Sequence, residues 1–314
     1  MKEKATCRTC MIKKSSRVKI AIVGATGLVG RTIAKVLTEQ NTKAEYFLYN
    51  RSGGVSIYIN GQGYTTIALT EKNIKANKVD YALFSAGGEI SKEFAPMFVE
   101  MGAIVVDNSS AFRRDENVAL IVPECGFRKT PIIANPNCTT IGAVVALKPL
   151  DDVFGLKRVT YSTYQAISGA GANPKFLYPI DNNVIPYIDG EEEKMMFETN
   201  KILRGDGHNG GIEVFATCIR VPVVNCHTIS IHAEFERELT QLEVYEILYK
   251  ARGVVVCGDN ELPMPLFAND KDSVFVGRIR AKGKSVDMVV CLDNIRKGAA
   301  TNAVQILNSL LSER

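Results

Sequence analysis

A cysteine at the predicted start of a helix is the strongest candidate for covalent chemistry in this sequence. Cys138 follows Asn135-Pro136-Asn137 and precedes a helical pattern over Ile141–Leu150. The positive end of a helix dipole stabilises a thiolate, so we expect a lowered pKa for this thiol. Backbone N–H groups of the first turn would also be placed to stabilise an oxyanion. The pattern fits a nucleophile that forms an acyl intermediate, and it fits a small buried residue in a helix cap equally well.

Such a nucleophile needs a proton-transfer group, and the chain has three histidines. His208 lies in the glycine-rich stretch 205–211, and His232 lies on the polar face of a predicted strand. His227 opens that same strand, seven residues after Arg220. An arginine suited to a carboxylate and a histidine suited to proton transfer therefore flank one turn, which fits an acidic carbonyl substrate.

A glycine pattern near the start predicts a dinucleotide-binding turn. Gly24, Gly27 and Gly30 follow a short apolar run, Val18–Val23, and open a helical pattern that extends to about residue 40. Glycines let the backbone approach a pyrophosphate, and the helix N-terminus faces the anion. A tight strand-to-helix turn without a ligand is the alternative.

The type of cofactor is indicated by the residues after the second predicted strand. An NAD site usually carries an acidic side chain there, which binds the ribose hydroxyls. Here the sequence is Tyr49-Asn50-Arg51-Ser52, without an acid, and Arg51 could pair with a 2′-phosphate. The sequence therefore favours NADP, unless Arg51 is only a solvated turn residue. None of the eleven tyrosines has a lysine four residues later, so the catalytic pair of short-chain dehydrogenases is missing.

Composition and charge are those of a globular chain. The 314 residues are enough for two domains, and 46% hydrophobic with 23% charged residues is near the globular average. No apolar run reaches the roughly 18 residues that a membrane helix needs, so no membrane partner is expected. Residues 1–19 carry seven Lys or Arg and one Glu and so contribute +6, whereas residues 20–314 contribute about −2, which gives the net charge of +4. Binding of nucleic acid by the body of the fold is therefore not expected, and binding through the basic segment would need a strong salt dependence.

Residues 1–17 lack the apolar segment of a secretory signal, so we expect a disordered basic tail; a weak targeting segment and a wrongly assigned start are the alternatives. Eight cysteines spread along a chain of this length do not indicate a disulfide scaffold, so a reducing cytoplasm is expected. Cys7 and Cys10 have the spacing of zinc ligands but no second Cys or His pair, so no metal site is expected.

The elements that must position these residues fall into two groups. Up to about residue 137, short apolar strands alternate with helices, which is typical of an α/β fold with a doubly wound, Rossmann-type parallel sheet. Beyond about residue 156, longer strands of alternating polarity predict a mixed sheet with one covered face, an α+β arrangement. An amphipathic helix over Leu239–Arg252 and a closing helix over Gly298–Leu311 complete the pattern. The predicted strands of the mixed sheet are 158–167, 212–221, 228–236, 273–280 and 285–292.

Eight segments, taken in order along the chain, strongly resemble the aspartate-β-semialdehyde dehydrogenase family. They extend from residue 18 to about residue 307, and as a set they are far more specific than any one motif. The segments are Gly24–Gly30, Phe84–Glu89, Asp107–Arg113, Asn135–Thr139, Thr163–Gly171, Glu198–Leu203, Cys218–His227 and Asp293–Ile306.

The resemblance implies a fold and an activity. The fold is an NADP-binding domain over 18–137, a catalytic and dimerisation domain over 138–296, and a C-terminal helix, 297–314, that returns to the first domain. The activity is the reversible, NADP-dependent reductive dephosphorylation of L-aspartyl-4-phosphate to L-aspartate-4-semialdehyde and phosphate. It belongs to lysine (through diaminopimelate), threonine and methionine biosynthesis. A cytoplasmic homodimer that binds only small-molecule substrates is implied as well.

The resemblance also implies roles for single residues. Cys138 matches the nucleophile that forms a thioester, His227 the acid–base residue, and Gln165 the residue that orients the substrate. The matched substrate-binding residues are Arg220 and Glu198 for the carboxylate and amino ends, and Arg113 and Lys201 for phosphate. The matched cofactor-binding residues are Gly24, Thr26, Gly27, Leu28, Val29, Arg51, Ser52, Ser168, Gly169 and Asn294.

Two alternatives stay open at this point. An N-acetyl-glutamyl-phosphate reductase would share the topology and the Cys/His chemistry, and substrate competition would separate the two enzymes. A catalytically silent NADP-binding protein would carry a Cys138 that does not react with an alkylating agent.

Overall fold

The computed structural model describes residues 17–171, 176, 178–205, 211–258 and 261–313. The predicted tail apart from Arg17, the cysteine pair Cys7 and Cys10, and the predicted loop position of His208 lie outside the described residues. Within the described ranges, no helix has the length and apolar character needed to cross a membrane. The same ranges contain no group of three or more His, Cys, Asp or Glu side chains that could hold a metal ion.

The N-terminal half of the chain forms a parallel sheet. The strands of this half are β1 (Lys19–Val23), β2 (Glu45–Asn50), β3 (Ser56–Ile59), β4 (Gln62–Thr65), β5 (Ile67–Ala68), β6 (Tyr81–Phe84), β7 (Ile104–Asp107), β8 (Ala119–Leu120) and β9 (Ile132–Ala134). β3 and β4 pair as a separate antiparallel hairpin, and the other seven strands form one sheet in the order β5-β2-β1-β6-β7-β9-β8, with every pair parallel. This confirms the predicted doubly wound sheet.

Both faces of this sheet are covered, which explains why its strands are apolar without alternation. Along β1, Ile20 and Ile22 pack into the core on one face, and Ala21 and Val23 pack into the core on the other. The helix α1 covers the first face, while α2 and α3 cover the second. These helices are α1 (Leu28–Glu39), α2 (Glu71–Ala76) and α3 (Gly88–Glu100).

The second half of the chain forms a six-stranded mixed sheet. Its strands are β10 (Leu156–Gln165), β11 (Glu213–Arg220), β12 (His227–Phe235), β13 (Val254–Val256), β14 (Val274–Lys282) and β15 (Ser285–Leu292). Their order in the sheet is β11-β10-β12-β15-β14-β13. β10 lies between β11 and β12, parallel to the first and antiparallel to the second. The connection from β11 to β12 therefore crosses the end of β10. The carboxyl ends of β10 and β11 and the amino end of β12 then lie side by side.

One face of the mixed sheet is covered and the other is open, as the alternating pattern predicts. Ile229 and Ile231 on β12 are buried, whereas Ser230 and His232, which alternate with them, are exposed. Phe215 on β11 is half exposed on the open face. The helices on this half are α4 (Cys138–Phe154), α5 (Glu191–Arg204), α6 (Gln241–Lys250) and the single turn α7 (Pro265–Ala268). The helix α5 was not predicted from the sequence, and α4 begins three residues before its predicted start because Asn137 caps it.

The last helix packs on the first sheet. A π-helical segment, Arg296–Thr301, leads into α8 (Asn302–Ser312). Val304, Ile306 and Leu307 of α8 are buried in the same core as Ile20 and Leu48 of the parallel sheet. Residues near both ends of the sequence therefore complete a single hydrophobic core.

Candidate active site

A cavity of about 500 Å³ lies where strand ends of the two sheets meet. Its wall includes residues that follow β7, β9, β10 and β15, and it includes the last residue of β11. Ligands of open parallel sheets bind outside the carboxyl ends of the strands, so this is the expected place for a substrate. The predicted site residues that line it are Val29, Arg113, Cys138, Ser168, Gly169, Arg220 and Asn294.

Cys138 is the first residue of α4, and Asn137 caps this helix. The Asn137 Oδ1 accepts the backbone N–H groups of Thr139 at 2.9 Å and Thr140 at 3.2 Å. Its backbone carbonyl accepts the Ile141 N–H. The expected oxyanion hole from several first-turn N–H groups is therefore wrong: among the described contacts, only the Cys138 N–H of this turn has no acceptor.

The pKa of the Cys138 thiol is raised to about 12, so the expectation of a lowered pKa is wrong for this structure. Burial is the largest cause, the Glu191 carboxylate adds to it, and the Arg113 cation acts in the opposite direction. The helix N-terminus does not prevail because desolvation penalises the thiolate more strongly than the dipole stabilises it. Cys138 is therefore a thiol at neutral pH until a ligand changes its surroundings.

Three predicted residues lie close together at the ends of three neighbouring strands of the mixed sheet. Gln165 ends β10 and is paired in register with Arg220, which ends β11, and His227 begins β12 on the other side of β10. All three are buried. Arg220 donates to the Ala166 carbonyl at 2.7 Å, and the Ala166 N–H donates to His227 Nδ1 at 3.0 Å. The predicted Arg–His turn is therefore present, and Gln165 lies between its ends.

His227 offers a single polar atom for chemistry. Its Nε2 is buried and has no hydrogen-bond partner among the described residues. Burial and the Arg220 cation lower the pKa of His227 to about 3, so the imidazole is neutral at pH 7. Gly169 packs directly on it, because a Cβ at this position would lie 2.9 Å from His227 Cε1 and 3.0 Å from Arg220 Nη1.

Glu198 and Lys201, both predicted to contact the substrate, do not line the cavity. Glu198 accepts Arg113 Nη1 at 3.0 Å and the Asn137 N–H at 2.6 Å, so both of its oxygens are used. Lys201 donates to the carbonyl oxygens of Arg113 at 3.1 Å and Asp115 at 2.6 Å. The structure thus places both side chains behind the wall, where they hold Arg113 and the start of α4.

Three charged residues that line the cavity were not predicted from the sequence: Asp189, Glu191 and Lys194. Glu191 accepts Asn137 Nδ2 at 2.6 Å with one oxygen and Lys194 Nζ at 3.2 Å with the other. Burial acts to raise the pKa of Glu191, but Lys194 and the Asn137 side chain outweigh it and lower the pKa. The available signal was the acidic run Glu191–Glu193, which is typical of the first turn of a helix.

The glycine turn after β1 has the shape that a nucleotide phosphate requires. Gly24 has φ of +81°, and a Cβ there would lie 2.8 Å from the Ser85 carbonyl oxygen. A Cβ at Gly30 would lie 2.3 Å from the Gly24 carbonyl oxygen, so this approach also excludes a side chain. Gly27 at the start of α1 and Gly87 at the start of α3 provide no capping side chain, which leaves first-turn N–H groups for an anion.

The remaining predicted cofactor residues lie on both sides of this turn. Arg51 and Ser52 are exposed and directly follow β2, which is the neighbour of β1 in the sheet. Leu28, the first residue of α1, is 44% exposed, and Thr26 lies two residues before it in the glycine turn. On the side of the mixed sheet, Ser168 and Asn294 share hydrogen bonds of 3.0 and 3.4 Å and line the cavity. The chain therefore fits an extended dinucleotide between β2 and the cavity.

This glycine turn at the edge of a parallel sheet, opposite a second domain that completes the cavity, is typical of nucleotide-dependent oxidoreductases. Comparison with known proteins agrees. Residues 19–130 match the family model for the semialdehyde dehydrogenase NAD binding domain, and residues 147–297 match the model for the semialdehyde dehydrogenase dimerisation domain.

Individual relatives show which kind of semialdehyde dehydrogenase this chain is similar to. The aspartate-semialdehyde dehydrogenase of Aquifex aeolicus is 46% identical, with 94% of this chain and 98% of the relative covered. The structure of aspartate semialdehyde dehydrogenase II from Vibrio cholerae, complexed with ASA, has a TM-score of 0.88 and 37% identity over 95% of this chain and 99% of that one. The Candida albicans enzyme with NADP has a TM-score of 0.77 and 27% identity over 93% and 98% of the two chains. The chain belongs to the aspartate-semialdehyde dehydrogenase family.

Proposed function

We propose that this chain is an NADP-dependent enzyme that interconverts L-aspartyl-4-phosphate with L-aspartate-4-semialdehyde and phosphate through a thioester on Cys138. In the cell it would form the semialdehyde, as a step of lysine, threonine and methionine biosynthesis. The observation that supports this most is a single cavity whose wall contains Cys138, Arg220 and Gly169, the last of which packs on His227.

The chemistry follows from the residue types in the wall. Cys138 Sγ attacks the acyl carbon, the C–S bond of a thioester replaces the C–O bond to the phosphate, and the thiol proton leaves with the departing phosphate as hydrogen phosphate. The cofactor, when bound, would supply the hydride that reduces the thioester. His227 Nε2 donates a proton to the carbonyl oxygen at that step and recovers it when the thiohemiacetal collapses, which releases the aldehyde and the Cys138 thiolate.

Two arginines suit the two anionic ends of the substrate. Arg220 lines the cavity and suits the α-carboxylate, with Gln165 beside it to orient the substrate. Arg113 also lines the cavity, and its buried Nε has no hydrogen-bond partner among the described residues, so it suits the phosphate. Glu198 and Lys201 contribute to these subsites through their bonds to Arg113.

Substrate binding would also prepare His227 for proton transfer. The Arg220 cation is one cause of the low pKa of His227. A carboxylate paired with Arg220 would neutralise that cation and raise the pKa of His227 towards its ordinary range. The same substrate that needs the proton would therefore make the histidine able to carry it.

NADP would lie along the edge of the parallel sheet. Gly24, Gly27 and the first turn of α1 would hold the pyrophosphate, and Arg51 with Ser52 would hold the 2′-phosphate. The residues that would hold the reactive end of the cofactor beside Cys138 are Val29, Ser168, Gly169 and Asn294, which share its cavity.

The open face of the mixed sheet supports a homodimer. Phe215 is 50% exposed and Tyr164 is 41% exposed on this face, and the matching family model is named for dimerisation. We assign cofactor binding to residues 18–137 with the helix 297–314, and catalysis and dimerisation to residues 138–296. Sedimentation should give a dimer for the wild type and a monomer for Phe215→Glu; an unchanged dimer would contradict this surface.

The reaction is tested by NADP reduction with L-aspartate-β-semialdehyde, in the presence and absence of phosphate. We expect activity that requires phosphate in the wild type and no activity in Cys138→Ala. N-acetyl-glutamate semialdehyde and NAD are run in parallel. A preference for the acetylated substrate would favour an N-acetyl-glutamyl-phosphate reductase. If the wild type is inactive and its Cys138 does not react with iodoacetamide, a catalytically silent binding protein is favoured.

A further inference from the structure

Asn137, the residue before the nucleophile, has every polar atom engaged. Its backbone N–H donates to Glu198 at 2.6 Å, and its Nδ2 donates to Glu191 at 2.6 Å. Its Oδ1 accepts the N–H groups of Thr139 and Thr140, and its carbonyl accepts the next N–H of the helix. Asn137 is therefore fixed from one side by α5 and from the other by α4.

The two carboxylates on α5 have complementary tasks. Glu191 and Glu198 are seven residues apart, which is about two helical turns and places them on one face. Glu198 holds the backbone of Asn137, and Glu191 holds its side chain. Glu191 is also 6% exposed and reaches the cavity wall, whereas Glu198 does not.

The chemistry of a carboxylate determines which way the Asn137 amide faces. An ionised carboxylate only accepts hydrogen bonds, so Glu191 requires the NH₂ group of Asn137 to point towards α5. The Oδ1 then faces the two N–H donors of α4. Without this acceptor, the amide could rotate by half a turn and place its NH₂ against those donors, and the cap of α4 would be lost.

We propose that Glu191 is a positioning residue for the nucleophile: by fixing the Asn137 amide it fixes the start of α4, and with it the Cys138 thiol and its free N–H at the cavity wall. The inference rests on the proposed role of Cys138. It differs from a role in substrate binding, because both oxygens of Glu191 already have partners, Asn137 and Lys194.

Two substitutions separate the acceptor from the charge. Glu191→Gln removes the charge but keeps an oxygen that can accept Asn137 Nδ2, whereas Glu191→Met removes both at similar volume. We expect Glu191→Met to lower kcat by about 10- to 100-fold with little change in KM, and Glu191→Gln to keep most of the activity. Glu193→Gln is the matched control, because Glu193 is an exposed acid in the same first turn of α5, and it should behave as the wild type.

A double-mutant cycle tests whether Glu191 acts through Asn137. Asn137→Ser keeps a capping oxygen but removes the amide donor. In that background Glu191→Met should cause little further loss of kcat, since the contact is already absent. Additive losses would overturn the proposal, and so would an equal loss in Glu191→Gln and Glu191→Met, which would assign the effect to charge. A raised KM with unchanged kcat would assign Glu191 to substrate binding and overturn it as well.

Hydrogen exchange provides a readout that does not depend on turnover. The amides of Thr139 and Thr140 should exchange faster in Glu191→Met than in the wild type, and Glu191→Gln should restore their protection. Unchanged exchange in the methionine variant would contradict the proposal. If the wild type fails to oxidise the semialdehyde but the exchange pattern appears, the proposed reaction fails while the positioning contact stands.

Discussion

Gly298 and Cys138 are in direct contact across the cavity wall: a Cβ at position 298 would lie 2.7 Å from the Cβ of Cys138. The approach is made by the π-helical segment Arg296–Thr301, which precedes α8. Gly298 is therefore required by space rather than by an unusual backbone conformation, and the wall behind the nucleophile is backbone.

Gly298→Ala should impair catalysis because the added methyl group must displace Cys138 or the π-helical turn. Overpacking of this kind costs about 1–3 kcal/mol, so we expect kcat to fall about tenfold or more. Steady-state kinetics checks this, with thermal melting as a test of folding. Gly258→Ala is the matched control, because a Cβ there meets nothing within 4 Å. A fully active Gly298→Ala enzyme would show that the contact is unimportant.

Arg220→Lys should weaken substrate binding although the charge is kept. A lysine cannot make the paired N–H bonds of a guanidinium to a carboxylate, and it cannot also hold the Ala166 carbonyl as Arg220 does. Losing about 1.5–3 kcal/mol should raise KM for the semialdehyde about 10- to 100-fold. KM for phosphate, measured in the same assay, should change little; the reverse pattern would place Arg220 at the phosphate subsite.

His227 should make the protein less stable in acid. Burial and Arg220 lower the pKa of His227 to about 3, below the unfolded value of about 6.5. The stability it contributes is present above pH 6.5 and is lost as the pH falls from 6.5 towards 3, by about 1.4 kcal/mol per pH unit.

Urea unfolding between pH 7 and pH 4 measures this effect as a difference between variants. His227→Gln should show a shallower loss of stability than the wild type over that window. His232→Gln, which removes an exposed imidazole from the same strand, is the matched control. Parallel curves for the wild type and His227→Gln would refute the low pKa.

Lys297 and Glu124 form a buried ion pair whose single removal should be severe. Lys297 Nζ lies 2.8 Å from both Glu124 oxygens and also donates to Asn302 and Gln305. Both charged side chains are almost fully buried. Lys297→Met leaves an unpaired buried carboxylate and should cost about 3–5 kcal/mol in urea unfolding. The double variant Glu124→Gln with Lys297→Met should be more stable than Lys297→Met alone; an equally unstable double variant would indicate a packing defect instead.

Arg51→Leu should change the choice of cofactor. If Arg51 pairs with the 2′-phosphate, KM for NADP should rise about tenfold or more while KM for NAD changes little. Lys78→Leu is the control, since Lys78 is an exposed cation that lies before the amino end of β6, whereas Arg51 follows the carboxyl end of β2. Equal effects of Arg51→Leu on both cofactors would exclude a 2′-phosphate contact.

Local patterns were enough to predict the fold. The alternation from Ile229 to Phe235 predicted a strand with one covered face, and the unbroken apolar run from Val18 to Val23 predicted a strand buried on both sides. The spacing of Arg220 and His227 predicted that they flank one turn. Each of these predictions depends on neighbours in sequence, and the structure confirms the strands.

The missed features depend on contacts that are distant in sequence. The pKa of Cys138 follows from burial and from Glu191, which comes 53 residues later in the chain. Glu198 and Lys201 turn away from the cavity because α5 packs on the start of α4 and on Arg113. The helix α5 itself was missed because few of its positions are apolar, although its acidic first turn is a signal for a helix start.

The return of α8 to the parallel sheet has a consequence for synthesis on the ribosome. The core beneath β1 includes Val304, Leu307 and Leu310, so this face of the sheet stays uncovered until those residues have been made. The half of the chain that is translated first can therefore reach its full stability only after the half that is translated last, and premature termination before residue 300 would leave the nucleotide-binding half with an exposed apolar face.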